Sequence, residues 1–162
     1  MKSLSFFLAV MALLAAPALA QSSNGQPQTL PTYDLKLGPA TLHTEVAVTP
    51  REDEIGLMFR PSMPDNNGML FVLPGNVAEF WMKNTLIPLS VAFLDQDGTI
   101  LEIHDMKAFD ESITRSDSPH VFYAIEANLH WFDLNGIKPG TKVSPAPASV
   151  VSQARKLEHT KS

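Results

Sequence analysis

No cysteine occurs among the 162 residues, and that absence sets the terms on which the chain can fold. Disulfides, thiolate–metal centres, iron–sulfur clusters and thiol nucleophiles are all excluded. Stability must come from apolar burial, which a domain of roughly 100 residues can supply. The constraint is sharper because the first twenty residues, MKSLSFFLAVMALLAAPALA, have the form of a secretory signal. Lys2 gives the positive start, an apolar run extends from Leu4 to Ala16, and Ala18-Leu19-Ala20 sets small residues where a signal peptidase reads. That run is shorter than the ~20 apolar residues of a spanning helix. Cleavage after Ala20 is expected, with export to the periplasm or secretion. Small domains there commonly depend on disulfides, and this one must do without.

The remaining chain divides by composition. Residues 21–31, QSSNGQPQTLP, read as a flexible linker, and residues 145–162, which start Pro-Ala-Pro, read as a disordered tail. A single globular domain is expected over residues 32–144. No later segment is long and apolar enough to span a bilayer. The formal net charge of −5 argues against nucleic acid as a partner, since phosphate neutralisation needs clustered Lys and Arg.

Strand signals dominate the domain. Thr41 to Val48 alternates imperfectly, Met69 to Leu73 is continuously apolar, and Ala78 to Lys83 is aromatic-rich. Val91 to Leu94 and Thr99 to Met106 flank Asp95-Gln96-Asp97-Gly98, a hairpin-turn signal. Val121 to Ile125 forms a further run. Two short helices are expected. Thr49 is an N-cap, with Pro50 at the first helical position and Glu52 completing a capping box. Asn128 is the expected N-cap of the second, which carries Leu129, Trp131, Phe132 and Leu134, ends at Gly136, and is braced by Glu126. The fold class expected is α+β, mainly β: a curved antiparallel sheet or small barrel with two short helices.

Several segments together resemble a known family: Gly56-Leu57-Met58-Phe59-Arg60, Gly68-Met69-Leu70-Phe71, Phe80-Trp81-Met82-Lys83-Asn84-Thr85-Leu86-Ile87-Pro88-Leu89, Tyr123-Ala124-Ile125-Glu126-Ala127-Asn128, and Trp131-Phe132 with Asn135-Gly136-Ile137. In this order they are similar to the prokaryotic family called domain of unknown function 192, from near Leu42 to Val143. The resemblance implies a compact, mostly β domain, often exported, and implies no activity. This chain has Ser90 where the family usually has an acidic residue, and His130 where it commonly has glycine.

The stretch Glu79–Thr85 holds the candidate site. Alternation along a strand puts Phe80 and Met82 on one face and Trp81 on the other. Lys83, Asn84 and Thr85 then leave the strand, where ligand contacts are common. With Arg60 they make a candidate binding site of Arg60, Trp81, Lys83, Asn84 and Thr85. If the two cations converge, its ligand is a small anion or a cell-envelope component; a protein partner is the other option. The expected role is an exported small-ligand or partner-binding module. One alternative is a cell-envelope hydrolase using His104 or the loop Asp110–His120, with Ser116, Ser118 and His120 among its candidates, although no catalytic motif is recognisable. A second is periplasmic copper handling by Met82, His104 and Met106, since thioether plus imidazole suits cuprous ion. No cofactor is otherwise predicted.

Overall fold

The computed structural model describes residues 25–160; the expected signal segment and the start of the linker lie outside the described residues. Nine strands and three helices run in the order β1 (Thr32–Leu37), β2 (Ala40–Ala47), α1 (Pro50–Ile55), β3 (Asn67–Asn76), β4 (Glu79–Phe80), β5 (Leu89–Leu94), β6 (Ile100–Met106), β7 (Thr114–Arg115), β8 (Val121–Asn128), α2 (Trp131–Leu134), β9 (Val143–Ser144) and α3 (Pro147–His159). Seven strands form one curled half-barrel sheet in the order β6-β5-β8-β3-β2-β1-β9, and β4 pairs with β7 alone. The expected mainly-β domain is what forms. All pairings are antiparallel except β2 with β3, which are joined through α1 as a parallel pair requires.

The apolar runs are explained by burial on both sheet faces. Along β5 the side chains of Ala92 and Leu94 enter one core, while those of Leu89, Val91 and Phe93 enter the other. β3 divides likewise, with Leu70 on the first face and Met69 and Phe71 on the second. The first core is closed by Trp131, Phe132 and Ile137 around α2 and by Val150, Val151 and Ala154 of α3. The second is closed by Leu57 and Met63 after α1 and by Ala78 and Met82. Among the described residues no helix is long and apolar enough to cross a membrane.

Four expectations need correction. Residues 147–159, read within a disordered tail, are helix α3, whose apolar side chains complete the first core; Pro147 opens the helix, since the missing N–H costs nothing at that position. The linker is held from Gln28 onward: Gln28 Nε2 donates to Glu52 O (2.8 Å) and Gly56 O (2.9 Å), and Leu30 N to Glu45 Oε2 (2.6 Å). Asn128 is no N-cap but the end of β8, with Nδ2 donating to Pro64 O at 2.9 Å. Glu126 lies within β8 and does not brace α2.

The hairpin forms as expected. Asp95 Oδ1 accepts the N–H groups of Asp97 (2.9 Å) and Thr99 (2.8 Å), and Gly98 takes φ +79°. This tip also receives the other edge of the sheet. Val143 N donates to Gly98 O (2.9 Å), Ile100 N to Thr141 O (2.9 Å) and Gly140 N to Ile100 O (2.7 Å). A side chain at Gly98 would place its Cβ 2.5 Å from Pro147 Cδ, at the start of α3. Gly98→Ala is therefore expected to destabilise the domain by about 1–3 kcal/mol, through left-handed strain plus overpacking. Urea unfolding checks this, with a truncation after Ser144 expected to be costlier because it uncovers the first core.

Candidate functional site

The local sequence after β2 builds one wall of a pocket. Thr49 Oγ1 accepts from Glu52 N (3.3 Å) while a Glu52 carboxylate oxygen accepts from Thr49 N (2.9 Å), so the capping box fixes α1. The helix stops at Gly56 (φ +48°), where an added Cβ would meet the Phe71 ring at 3.4 Å. Two left-handed residues then lock the next loop to the segment after β4: Phe59 (φ +65°) donates its N–H to the carbonyl of Asn84 (φ +55°) at 2.9 Å. On its other side that segment is held by Met82 N to Asp110 O (2.9 Å) and Phe109 N to Thr85 O (3.1 Å). Between these elements lies a pocket of about 200 Å³, lined by Asp53, Glu54, Phe71, Phe80, Trp81 and Glu126 together with Ile55–Met58, Leu73, Glu79 and Thr85.

The most buried charged group there is Glu126. It lies opposite Met69 on β3 and Val91 on β5, neither of which offers a hydrogen bond from its side chain. Alternation puts its carboxyl on the same face as Ala124, toward the second core. The residue is 5% exposed and its carboxyl has no hydrogen-bond partner among the described residues. Burial, helped by the negative charge of Asp53, pushes its pKa up to about 8. Asp53 is an exposed residue, but partial desolvation of its carboxyl raises its pKa as well. Glu54 and Glu79 add negative charge, and no Lys, Arg or His lines the pocket.

Of the five residues expected to bind, the structure brings Trp81 and Thr85 to this pocket and leaves Arg60, Lys83 and Asn84 off its lining. Arg60 is committed to Glu45, with Nη1 and Nη2 donating to the two carboxylate oxygens at 2.7 and 3.0 Å, and Nη2 also to Gln28 O at 2.8 Å. Lys83 Nζ instead stands 5.0 Å from the Trp81 ring centroid. Asn84 Nδ2 lies 4.0 Å from Met58 Sδ, and Thr85 Oγ1 donates to the carbonyl of Lys83 at 3.2 Å. Trp81 is 44% exposed at the pocket mouth, and Thr85 is buried. Sequence reasoning missed Asp53 and the role of Glu126. A glutamate inside the apolar run Phe122-Tyr123-Ala124-Ile125-Glu126-Ala127 was the available signal, because a charge has no business on a strand covered on both faces.

The residues of the other readings are placed as follows. Met82 and Met106 are buried in the second core, while His104 Nε2 pairs with Glu102 Oε2 at 2.7 Å and its ring packs 5.6 Å from Phe93. Glu102, His104 and Asp117 bring ligand-type atoms within 4.8 Å of one another. Glu102 also accepts the N–H groups of Asp117 (3.0 Å) and Ser118 (2.9 Å), so it pins the loop. Ser116 Oγ accepts from Ala78 N (2.9 Å) and donates to Ser118 O (2.9 Å). The two departures from the family pattern meet. Ser90 Oγ donates to Asp105 (2.5 Å) and accepts from His130 N (2.8 Å), and His130 Nδ1 pairs with Asp105 at 3.1 Å. His130 has φ +63°, a conformation that glycine adopts without cost and histidine tolerates.

The state of Glu126 has a measurable consequence for stability. Its carboxyl keeps its proton to about pH 8 when folded, against an ordinary value of 4.5. The stability contributed by this group is then greatest below about pH 4.5, falls as the pH rises and levels off above about 8. Glu126→Gln is expected to remove most of that fall and to exceed the native chain at pH 9 by on the order of 4 kcal/mol. Urea unfolding from pH 4 to 9 checks it.

The profile of the DUF192 family, described as "Uncharacterized ACR", matches residues 34–145. A solved structure from Sinorhizobium meliloti 1021, a candidate transcription regulator, is 33% identical with a TM-score of 0.68, covering 74% of this chain and 97% of its own. A protein of unknown function from Novosphingobium aromaticivorans DSM 12444 is 32% identical with a TM-score of 0.67, covering 86% of this chain and 99% of its own. No match is found among curated proteins. Sequence motifs, family profile and fold agree that this chain belongs to the DUF192 family.

Proposed function

We propose that this is an exported small-ligand-binding module whose site is the pocket between α1, β3, β4 and β8. The observation that carries the reading is Glu126: a carboxyl on an apolar sheet face, only 5% exposed and lining a pocket, with no hydrogen bond to it among the described residues. Burying such a group unpaired costs several kcal/mol, and a ligand that pairs with it recovers that cost. Convergence adds support. Gly56, Met58, Phe71, Phe80, Trp81 and Glu126 come from separate segments that carry the family resemblance, and all line this one space. The Trp81–Thr85 segment keeps its place in the reading as rim and wall, with Trp81 at the mouth and Thr85 inside. The expectation of an anionic ligand is given up, because the charged groups on the lining are carboxyls. Export rests on the signal-like residues Met1–Ala20.

The regulator description belongs to the Sinorhizobium protein and is not carried over, since a net charge of −5 gives little footing for neutralising phosphates. The test is a thermal-shift screen of small cations, anions and neutral molecules against the native chain and a Leu73→Trp variant. Leu73 lines the pocket from β3, so the larger side chain fills it. A binder is expected to raise the melting temperature of the native chain by several degrees at a hundredfold excess over its Kd. Hits that vanish in the filled variant uphold the site. Hits that persist there, or no hits from any class, overturn it.

A further inference from the structure

Four carboxyls and three aromatic rings around one small hollow define a chemistry more narrowly than "ligand". We infer that the pocket takes the protonated amine of a small organic cation, with Glu126 and Asp53 as its counter-charges and Phe71, Phe80 and Trp81 as the wall for its hydrocarbon part. This deepens the proposed function and rests on it.

Three comparisons of chemistry lead there. An anion would face Asp53 and Glu54 from α1, Glu79 from β4 and Glu126 from β8, with no cation on the lining to receive it. Directly opposite Glu126 the neighbouring strands place Met69 and Val91, β3 adds Phe71 and Leu73 to the lining, and the segment after β4 contributes Trp81 and Thr85. A hard metal ion needs several oxygens around one point. Among the described residues the group of three ligand-type side chains close enough for that is Glu102, His104 and Asp117, away from this pocket. An organic ammonium needs less: one or two carboxylates for its charge and apolar or aromatic surface for its body. The indole of Trp81 already accepts such a group, since the ammonium of Lys83 lies 5.0 Å from its ring centroid.

The proton on Glu126 then has a part to play. The buried, negative surroundings that hold a proton there at neutral pH also attract any other cation. A bound ammonium replaces that proton: the carboxyl gives it up to solvent as the ion pair forms, and charge at the site is conserved. Affinity for an amine is therefore expected to rise about tenfold per pH unit up to about pH 8 and to flatten above it, while the amine itself stays charged to about pH 10.

The experiment uses the chain from residue 21 onward and four probes by calorimetry: n-pentylamine, 1-pentanol, pentanoate and Nα-acetyl-lysine methylamide. Pentylamine is expected to bind at least tenfold more tightly than pentanol at pH 8, with pentanoate weakest, and to release a proton below pH 8. In Glu126→Gln the amine loses that advantage and its pH slope, while pentanol is unchanged. Asp53→Asn gives a second, smaller loss should the first variant fold poorly. The lysine derivative separates sources: binding equal to pentylamine favours a lysine side chain of a partner, weaker binding a free amine. Equal affinity for amine and pentanol in the pocket would overturn the cation assignment and leave the binding reading intact. Absence of every probe from the pocket would overturn the cation assignment, and failure of the wider screen would remove the binding reading as well.

Discussion

β3, β5 and β8 are covered on both faces, and the alternation of their side chains between two cores is the constraint on which the molecule turns. A sheet exposed on one face could stand on its hairpins alone. One buried twice needs two lids, and this chain makes them from different materials. α2 and α3 close the first face with regular helix. The second face is closed largely by irregular chain: the loop after α1, and residues 78–88 tied to residues 107–118. Irregular chain packs less continuously than a helix, and the pocket lies on that side.

Much of this was legible in the residues. The capping box at Thr49–Glu52 is a local contract between neighbouring groups, so it reads correctly from sequence. So does the Asp95–Gly98 turn, where one aspartate satisfies two backbone donors within four residues. The continuous apolar runs announced strands with two dry faces. What escaped was structure that draws its strength from elsewhere. β1 alternates Tyr33, Leu35 and Leu37 toward the first core against Thr32, Asp34 and Lys36, a short pattern that was passed over and that forms along the edge β2 offers. α3 buries Pro147, Val150, Val151 and Ala154, which is the i, i+3, i+4, i+7 spacing of a helix face, but two prolines at the start of the segment and polar residues around the stripe masked it. Asn128 has the right side chain for a cap but finds the carbonyls of residues 63–65 instead.

The site was half visible for a related reason. Trp81 and Thr85, singled out because polar and aromatic residues at a strand end draw notice, line the pocket. Arg60 misled, since a cation in a family-like motif says nothing about whether its partner is a ligand or a carboxylate of the same chain. Here Glu45 supplies that partner, and the pair is shielded, with side-chain exposures of 13% and 9%. Such a pair contributes little net stability but is costly to break by removing one member. It fixes the approach of residues 28–30 to β2, so the arginine works as a fastening for the start of the domain.

The meeting of the two sheet edges beside Gly98 bears on self-association. An open β-edge is a template on which a second chain can grow. In this domain the start of β6 is occupied by residues 140–143 of the opposite edge, through the bridge of Thr99 with Lys142. At the other end of the sheet the outermost strand, β9, is only two residues long, against seven for β6. A polymer would find no long unpaired rail at that corner. In a chain without cysteines, the two edges are tied together there by hydrogen bonds alone.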